Sequence, residues 1–286
     1  MSSFKYLLGI SLLVLIGLTA CSRSSNRDTT AYLTIKGSDT MVHLASTWAE
    51  VFMSDADAPK LSVTGGGSGT GIAALLNGTT DICIASRNIK SKEVELATNK
   101  GIMPVETTVA RDGIAVIIHP DNPVNELTIE EIGKIYTGAY TNWNQVGGPD
   151  AGIIVLSRES SSGTYVFFQK RVLAKRDYVT SARLMPATSA IVQSVSSDEW
   201  SIGYVGLGYA VEAGDKVKTL KVKDTADSPA VAPTVASVSA SDYAIARSLY
   251  IYTNGEPTGS IKKFIDFTLS AAGQKIVIET GYVPVN

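Results

Sequence analysis

Three times along this chain a strand ends in a run of glycine and hydroxyl-bearing residues that opens directly into a helix. The runs are Gly37-Ser38-Asp39-Thr40, Gly65-Gly66-Gly67-Ser68-Gly69-Thr70-Gly71 and Arg158-Glu159-Ser160-Ser161-Ser162-Gly163-Thr164. The first turn of a helix carries backbone N–H groups without intrahelical partners, at the positive end of the helix dipole. Glycine lets a ligand approach the backbone closely, and Ser and Thr add donors. Arg158 offers a guanidinium fork suited to a tetrahedral oxyanion. Taken singly, Ser38 or Asp39 also suits an ordinary N-cap, and the Gly65 loop a tight turn. Three such turns in one chain, one of them with an arginine, point to anion capture.

The segments between them read as strand, loop, helix and strand again, which predicts an α/β fold with mainly parallel pairing. Strands are predicted at 31–35, 61–64, 81–85, 113–118, 152–156 and 248–252, with a glycine-flanked strand within 201–210. Helical periodicity covers 40–52, 72–76, 91–99, 128–136, a segment starting at Tyr165, and 261–280. Residues 221–238 are rich in Ser, Thr, Ala, Pro and Asp and read as a surface connection.

Composition narrows the function. The formal net charge is −2, so the chain lacks the basic footprint of a nucleic-acid binder. A bound anion must therefore be held by local dipoles and individual cations. No Gly-Lys-Ser/Thr follows the Gly65 loop and no Gly-x-Ser-x-Gly elbow occurs, so nucleotide-hydrolysing and serine-hydrolase chemistry lack their motifs. His43 and His119 are the only histidines, and each reads as structural or surface. No metal-ligand spacing is present and no cofactor is expected.

The N-terminus reads as an export signal. Lys5 precedes an apolar run from Leu7 to Leu18, too short for the roughly 20 residues of a membrane span. The run ends Leu18-Thr19-Ala20-Cys21, similar to a bacterial lipobox, which implies cleavage before Cys21 and lipid on that residue; the alternative is an ordinary signal with a chance cysteine. On this reading residues 1–20 are the signal and 21–30 a flexible tether. The chain is then exported and held at the cell membrane or outer membrane, facing the periplasm or exterior. Cys83, the other cysteine, lies in an apolar run and reads as an inert buried thiol.

The chain resembles the PstS family, the phosphate-binding proteins of bacterial ABC importers. The resemblance rests on GSDTM (37–41), VTGGGSGTGIAALLNGTTDI (63–82), DGIAVIIHPDNPV (112–124), IYTGAYTNWNQVGG (135–148), SRESSSGT (157–164) and GQKIVIETGYVPV (273–285). It implies a type II periplasmic-binding-protein fold, with two lobes of mixed sheet flanked by helices and two crossover strands as hinge. The crossovers should fall near 109–118 and 243–252, with lobe I at 31–110 and 250–286 and lobe II at 111–249. Carried over by position, Ser38, Thr40 and Ser68 supply donors from lobe I, and Arg158, Ser162, Gly163 and Thr164 from lobe II. The family often has a proton-accepting aspartate after the third strand, where this chain reads Ala85-Ser86-Arg87. Asp39 is the candidate acceptor here, with helix capping as the alternative. Arg87 either adds charge at the mouth or pairs with a nearby acid. The expected protein is a non-enzymatic monomer that binds inorganic phosphate and hands it to the importer's membrane permease. Binding of sulfate or molybdate, a secreted phosphatase, and a surface lipoprotein that binds other proteins are the rival readings.

Overall fold

The computed structural model describes residues 32–285. The predicted signal at 1–20, Cys21 and the tether at 21–30 lie outside the described residues.

In chain order, β1 (Tyr32–Gly37) passes through a 3-10 turn, Asp39–Met41, into α1 (Val42–Phe52). Then come β2 (Lys60–Thr64), α2 (Ser68–Leu76), β3 (Ile82–Ala85), α3 (Ser91–Asn99) and the long β4 (Pro104–Ile118). The middle of the chain forms β5 (Glu126–Thr128), α4 (Ile129–Tyr136), β6 (Ile154–Arg158), α5 (Gly163–Arg171), β7 (Arg183–Met185), α6 (Thr188–Val195), β8 (Ser201–Gly206) and α7 (Leu207–Ala213). It closes with β9 (Lys218–Thr219), β10 (Lys221–Lys223), α8 (Val235–Ser239), β11 (Ala246–Asn254), α9 (Gly259–Leu269) and α10 (Ala271–Glu279).

The main sheet runs β2, β1, β3, β11, β4, β8, β6, β7, with β9 also pairing with β4. Parallel pairing holds at both ends, β2–β1–β3 and β8–β6–β7. The middle is antiparallel, because β11 runs against β3 and β4, and β4 against β8. The expectation of mainly parallel pairs thus holds only away from the centre. Two strands that each cross between the lobes must run in opposite senses when the chain leaves lobe I on one and returns on the other.

The two largest of the four sets of buried side chains among the described residues lie one in each lobe. One gathers Leu33, Ile35, Leu44, Trp48, Ile84, Leu249, Ile251 and Phe264. The other gathers Ile114, Val116, Ile132, Tyr136, Trp143, Phe168, Tyr204 and Ile245. β4 contributes to both, with Val109 and Ala110 in the first and Ile114, Val116 and Ile118 in the second. The chain's last helix is tied into the first lobe by Trp48, whose indole N–H donates to Gly273 O at 2.8 Å, and by Gln274, which donates to Val109 O at 3.0 Å.

Several elements depart from the periodicity. α2 starts at Ser68 rather than 72, because SGTG carries no apolar period before Ile72. The segment 201–210 splits into β8 and α7, whose short Leu-Gly-Tyr-Ala start imitates a strand. Residues 221–238 contain β10 and α8 as well as connection. β7 and α6 carry no strong pattern of their own, β7 having only three residues.

Cys83 is fully buried on β3. Burial pushes its thiol up to about 12, more than the Arg87 charge lowers it. The reactive species is the thiolate. Iodoacetamide at pH 8 should therefore leave Cys83 unmodified in the native protein and modify it in denaturant, read by peptide mass mapping.

Candidate anion-binding site

The site begins where β1 and β3 end. Gly37 has φ +147°, and a Cβ there would lie 2.0 Å from Ile84 O. Only glycine allows that approach, and it lets the Ser38 N–H donate to Ile84 O at 2.8 Å. The side chains that follow gather at one point. Ser38 Oγ donates to Ser86 Oγ at 2.9 Å, Ser86 Oγ lies 3.2 Å from Ser68 Oγ, and Ser86 N–H donates to Ser68 Oγ at 3.0 Å. All three serines are buried.

The second lobe meets this cluster through the N-terminus of α5. Ser162 caps that helix, its Oγ accepting from Thr164 N–H at 3.2 Å and Tyr165 N–H at 3.4 Å. A Cβ on Gly163 would lie 2.2 Å from Ser68 Oγ and 2.6 Å from Ser86 Oγ. Thr164 Oγ1 sits 2.8 Å from Thr40 Oγ1 across the cleft. Beside them the loops before α2 and α5 touch, with Gly69 N–H donating to Ser161 O at 2.9 Å. The predicted residues Ser38, Thr40, Ser68, Ser162, Gly163 and Thr164 are thus brought together.

The cation nearest these hydroxyls is Arg247, on β11. One of its terminal nitrogens donates to Ser86 O at 2.9 Å. The other donates to Thr164 Oγ1 at 3.1 Å and lies 3.5 Å from Thr40 Oγ1. The Asp112 carboxylate accepts from Arg247 Nη2 at 2.8 Å and Nε at 3.1 Å, and its other oxygen accepts the Leu207 N–H at 3.0 Å. Asp112 is 0% exposed. That burial raises its carboxyl above the usual range, against the pull of the Arg247 charge and hydrogen bonds and of the Leu207 N–H. A raised carboxyl favours folding at acid pH and loses that contribution as pH rises past the ordinary carboxylate value. At neutral pH the buried charge is thus a cost that Arg247 partly offsets.

Arg158 and Asp39 have another arrangement. Asp39 Oδ2 accepts from Arg158 Nη1 at 3.1 Å, Thr188 N–H at 2.7 Å and Thr188 Oγ1 at 2.7 Å. Arg158 also donates to Thr188 Oγ1, Met185 O and Pro186 O. Asp39, from lobe I, therefore caps the first turn of α6 in lobe II, where the helix dipole favours an acid. It does so in place of capping its own helix. All three donors converge on Oδ2, which engages that side of the carboxylate with Arg158 and the start of α6. Arg158 is fixed by Tyr204, whose hydroxyl accepts the Arg158 N–H at 3.2 Å and lies 2.8 Å from Ser157 Oγ. The Tyr204 ring stacks on Phe168 of α5 at 4.1 Å, so β6 and α5 present their ends as one unit.

Arg87 pairs with a nearby acid. Its guanidinium donates to both Glu93 oxygens, at 2.8 and 2.7 Å. Burial would raise Glu93, but the hydrogen bonds from Arg87 and Lys90 N–H and the charges of both residues hold it below its ordinary value. His43 is exposed on α1, and His119 lies 3.7 Å from Asp121. No group of three His, Cys, Asp or Glu side chains that could hold a metal occurs among the described residues.

Sequence reasoning missed Ser86, Asp112, Thr188 and Arg247 as working residues. Two of them left a trace. Asp112 is an acid directly ahead of the apolar run GIAVII, and Arg247 is the one charged residue of the strand ARSLYIYTN. Each implies a buried charge, and each implies a partner for it.

Removing one member of a buried ion pair strands the other, a loss of about 3–5 kcal/mol. Arg247→Ala should show a loss of that size in urea unfolding. Asp112→Asn combined with Arg247→Met should regain most of it, because no charge is then left unpaired.

Known proteins resemble this chain over most of its length. The profile of the PBP superfamily domain matches residues 24–272. Phosphate-binding protein PstS of Staphylococcus aureus strain USA300 is 34% identical over 266 residues, covering 91% of this chain and 80% of that protein. A solved structure from Clostridium perfringens, assigned as a phosphate ABC transporter substrate-binding protein and holding phosphate, is 33% identical with TM-score 0.80, covering 89% of this chain and all (100%) of that one. An ABC-type phosphate transport receptor from Vibrio cholerae is 29% identical with TM-score 0.70, covering 88% and 99%. The chain is a two-lobed type II periplasmic binding protein and belongs to the PstS family within the PBP superfamily.

Proposed function

We propose that this protein binds inorganic phosphate between its lobes and delivers it to the membrane permease of an ABC importer. The observation that carries the reading is the convergence of Ser38, Thr40, Ser68, Ser86 and Thr164 hydroxyls from two lobes around the Arg247 guanidinium. Five neutral donors and one cation suit a small tetrahedral oxyanion in a chain whose overall charge is negative. The N-termini of α2 and α5 face each other at the same place, adding their dipoles. The relatives named for phosphate binding and transport support the choice of phosphate over other oxyanions.

In this proposal Arg247 is the principal cation. Arg158 acts mainly through closure, tying Asp39 of one lobe to α6 of the other. The lobe boundaries then fall near Asp112–Gly113 on β4 and Ile245–Ala246 at the start of β11. Phosphate favours the closed form because the open form presents only part of the donor set. The protein works as an exported monomer without catalysis, anchored by lipid at Cys21. A test with a chromogenic phosphate ester would detect hydrolysis, which this reading does not expect.

Calorimetric titration should give tight binding of orthophosphate, and weaker binding of sulfate and molybdate. Arg158→Ala should weaken orthophosphate by more than tenfold, because it removes the tie from Asp39 of one lobe to Arg158 and α6 of the other that favours closure. Gly163→Ala, which sets a methyl group against Ser68, should weaken it at least as much while leaving circular dichroism unchanged. Absence of orthophosphate binding by the intact protein would overturn the assignment.

A further inference from the structure

Next to Arg247, lined by residues of both lobes, opens a pocket of about 790 Å³. That volume lies in the range of small-molecule sites, roughly 300–1,000 Å³, and exceeds what one tetrahedral oxyanion fills. Its lining includes Arg87, Lys90, Lys170, Arg171, Lys175 and Arg247, and no acid among the described lining residues. This concentration of positive charge stands against a net charge of −2 for the whole chain.

Three of the six cations already have anionic partners outside the lining. Arg87 pairs with Glu93, Arg171 with Asp224 and Arg247 with Asp112. Lys170 and Lys175 have no ion-pair partner among the described residues, and Lys90 feels the Glu93 charge without forming an ion pair with it. These lysines are exposed and come from both lobes, Lys90 from the loop before α3, Lys170 and Lys175 from the end of α5 and just beyond. Lys175 holds its place with φ +68°, following Ala174 at φ +51°.

The walls between these cations are apolar. Ile89 and Tyr250 on one side, Val166 and Phe167 on the other, are each partly exposed. The Arg247 guanidinium lies over the Phe167 ring at 5.5 Å, so the pocket and the hydroxyl cluster share one arginine as a common wall. A bare inorganic anion would use the lysines and leave the apolar walls in contact with water. A ligand with an anionic group and an apolar body would use both.

We propose that this pocket is a second ligand site, separate from the hydroxyl cluster, for a phosphomonoester with a compact apolar or aromatic body. The phosphoryl group pairs with Lys90, Lys170 and Lys175, and the body packs on Ile89, Val166, Phe167 and Tyr250. A ligand there touches both lobes and favours the closed arrangement. The site does not require that the hydroxyl cluster take phosphate, and the test treats the two separately.

The measurement is calorimetric titration of the full chain with phenyl phosphate, with orthophosphate held well above its own Kd. Phenyl phosphate should bind at least tenfold more tightly than methyl phosphate. Lys90→Gln combined with Lys170→Gln and Lys175→Gln should weaken phenyl phosphate by more than tenfold and leave the orthophosphate affinity of the cluster unchanged. These exposed positions carry no core packing, and an unchanged Tm checks the fold. The inference is overturned if phenyl phosphate does not bind, binds no better than methyl phosphate, is insensitive to the triple substitution, or competes with orthophosphate for a single site. Failure of orthophosphate binding in a separate titration would instead strike the function proposed above.

Discussion

The centre of the molecule rests on one buried ion pair. Asp112 and Arg247 are directly opposite partners on β4 and β11, the two strands that carry the chain between lobes. Their side chains meet at 2.8 Å with almost no exposure, 0% and 3%. Cross-strand register decides this contact, and a slip of one residue would turn each side chain to the other face of the sheet. The pairing would then leave Asp112 without a cation and the hydroxyl cluster without its guanidinium. A buried pair of this kind is weak evidence for stability, because desolvation offsets much of the attraction. Its value lies in placement: Asp112 aims Arg247 so that the same guanidinium reaches Ser86 in one lobe and Thr164 in the other.

Around that pair the lobes are joined by two different kinds of contact. One is close packing of small groups, with Gly163 set against Ser68 and Ser86 and the loops at 69 and 161 hydrogen-bonded. The other is electrostatic, with Asp39 reaching across to Arg158 and the start of α6. The first demands small residues and tolerates no added methyl group. The second has a carboxylate partly open to solvent, at 18%, so salt and water weaken it. Closure therefore draws on a contact set by shape and a contact set by charge, either side of the same hydroxyls.

How much of this was legible in the sequence follows from where each signal is stored. Ser38, Thr40, Ser68, Ser162, Gly163 and Thr164 stand in local strand–turn–helix runs, so their role shows in a dozen consecutive letters. Asp112 and Arg247 are 135 positions apart, and their partnership exists only through strand pairing. Arg87 was legible as a cation, yet its choice of Glu93 depends on the start of α3, where Glu93 also takes the Lys90 N–H. Asp39 stands where a helix starts, yet it reaches a different one. The helix it caps is α6, 149 residues later, and no local pattern records that. The signs of the parallel outer strands were local too, whereas the antiparallel centre is a consequence of crossing the hinge twice.

The chemistry of the hydroxyl groups explains why such a site can close on itself and still receive an anion. A hydroxyl donates one hydrogen bond and accepts others, so Thr40 and Thr164 can satisfy each other at 2.8 Å, and Ser38, Ser68 and Ser86 likewise. Among these side chains no buried oxygen is left without a partner, and the closed arrangement carries little of the penalty that unpaired polar groups bring. A site built of lysines would repel itself in the same geometry. On the function proposed above, an incoming oxyanion would change the direction of each hydroxyl proton, turning shared bonds into donated ones, with only the Arg247 charge fixed beforehand. The gain on binding is then the difference between hydroxyl–hydroxyl and hydroxyl–anion bonds, and charge-assisted bonds are roughly twice as strong as neutral ones. That difference, and not the total number of contacts, sets how far a ligand can shift the lobes toward closure.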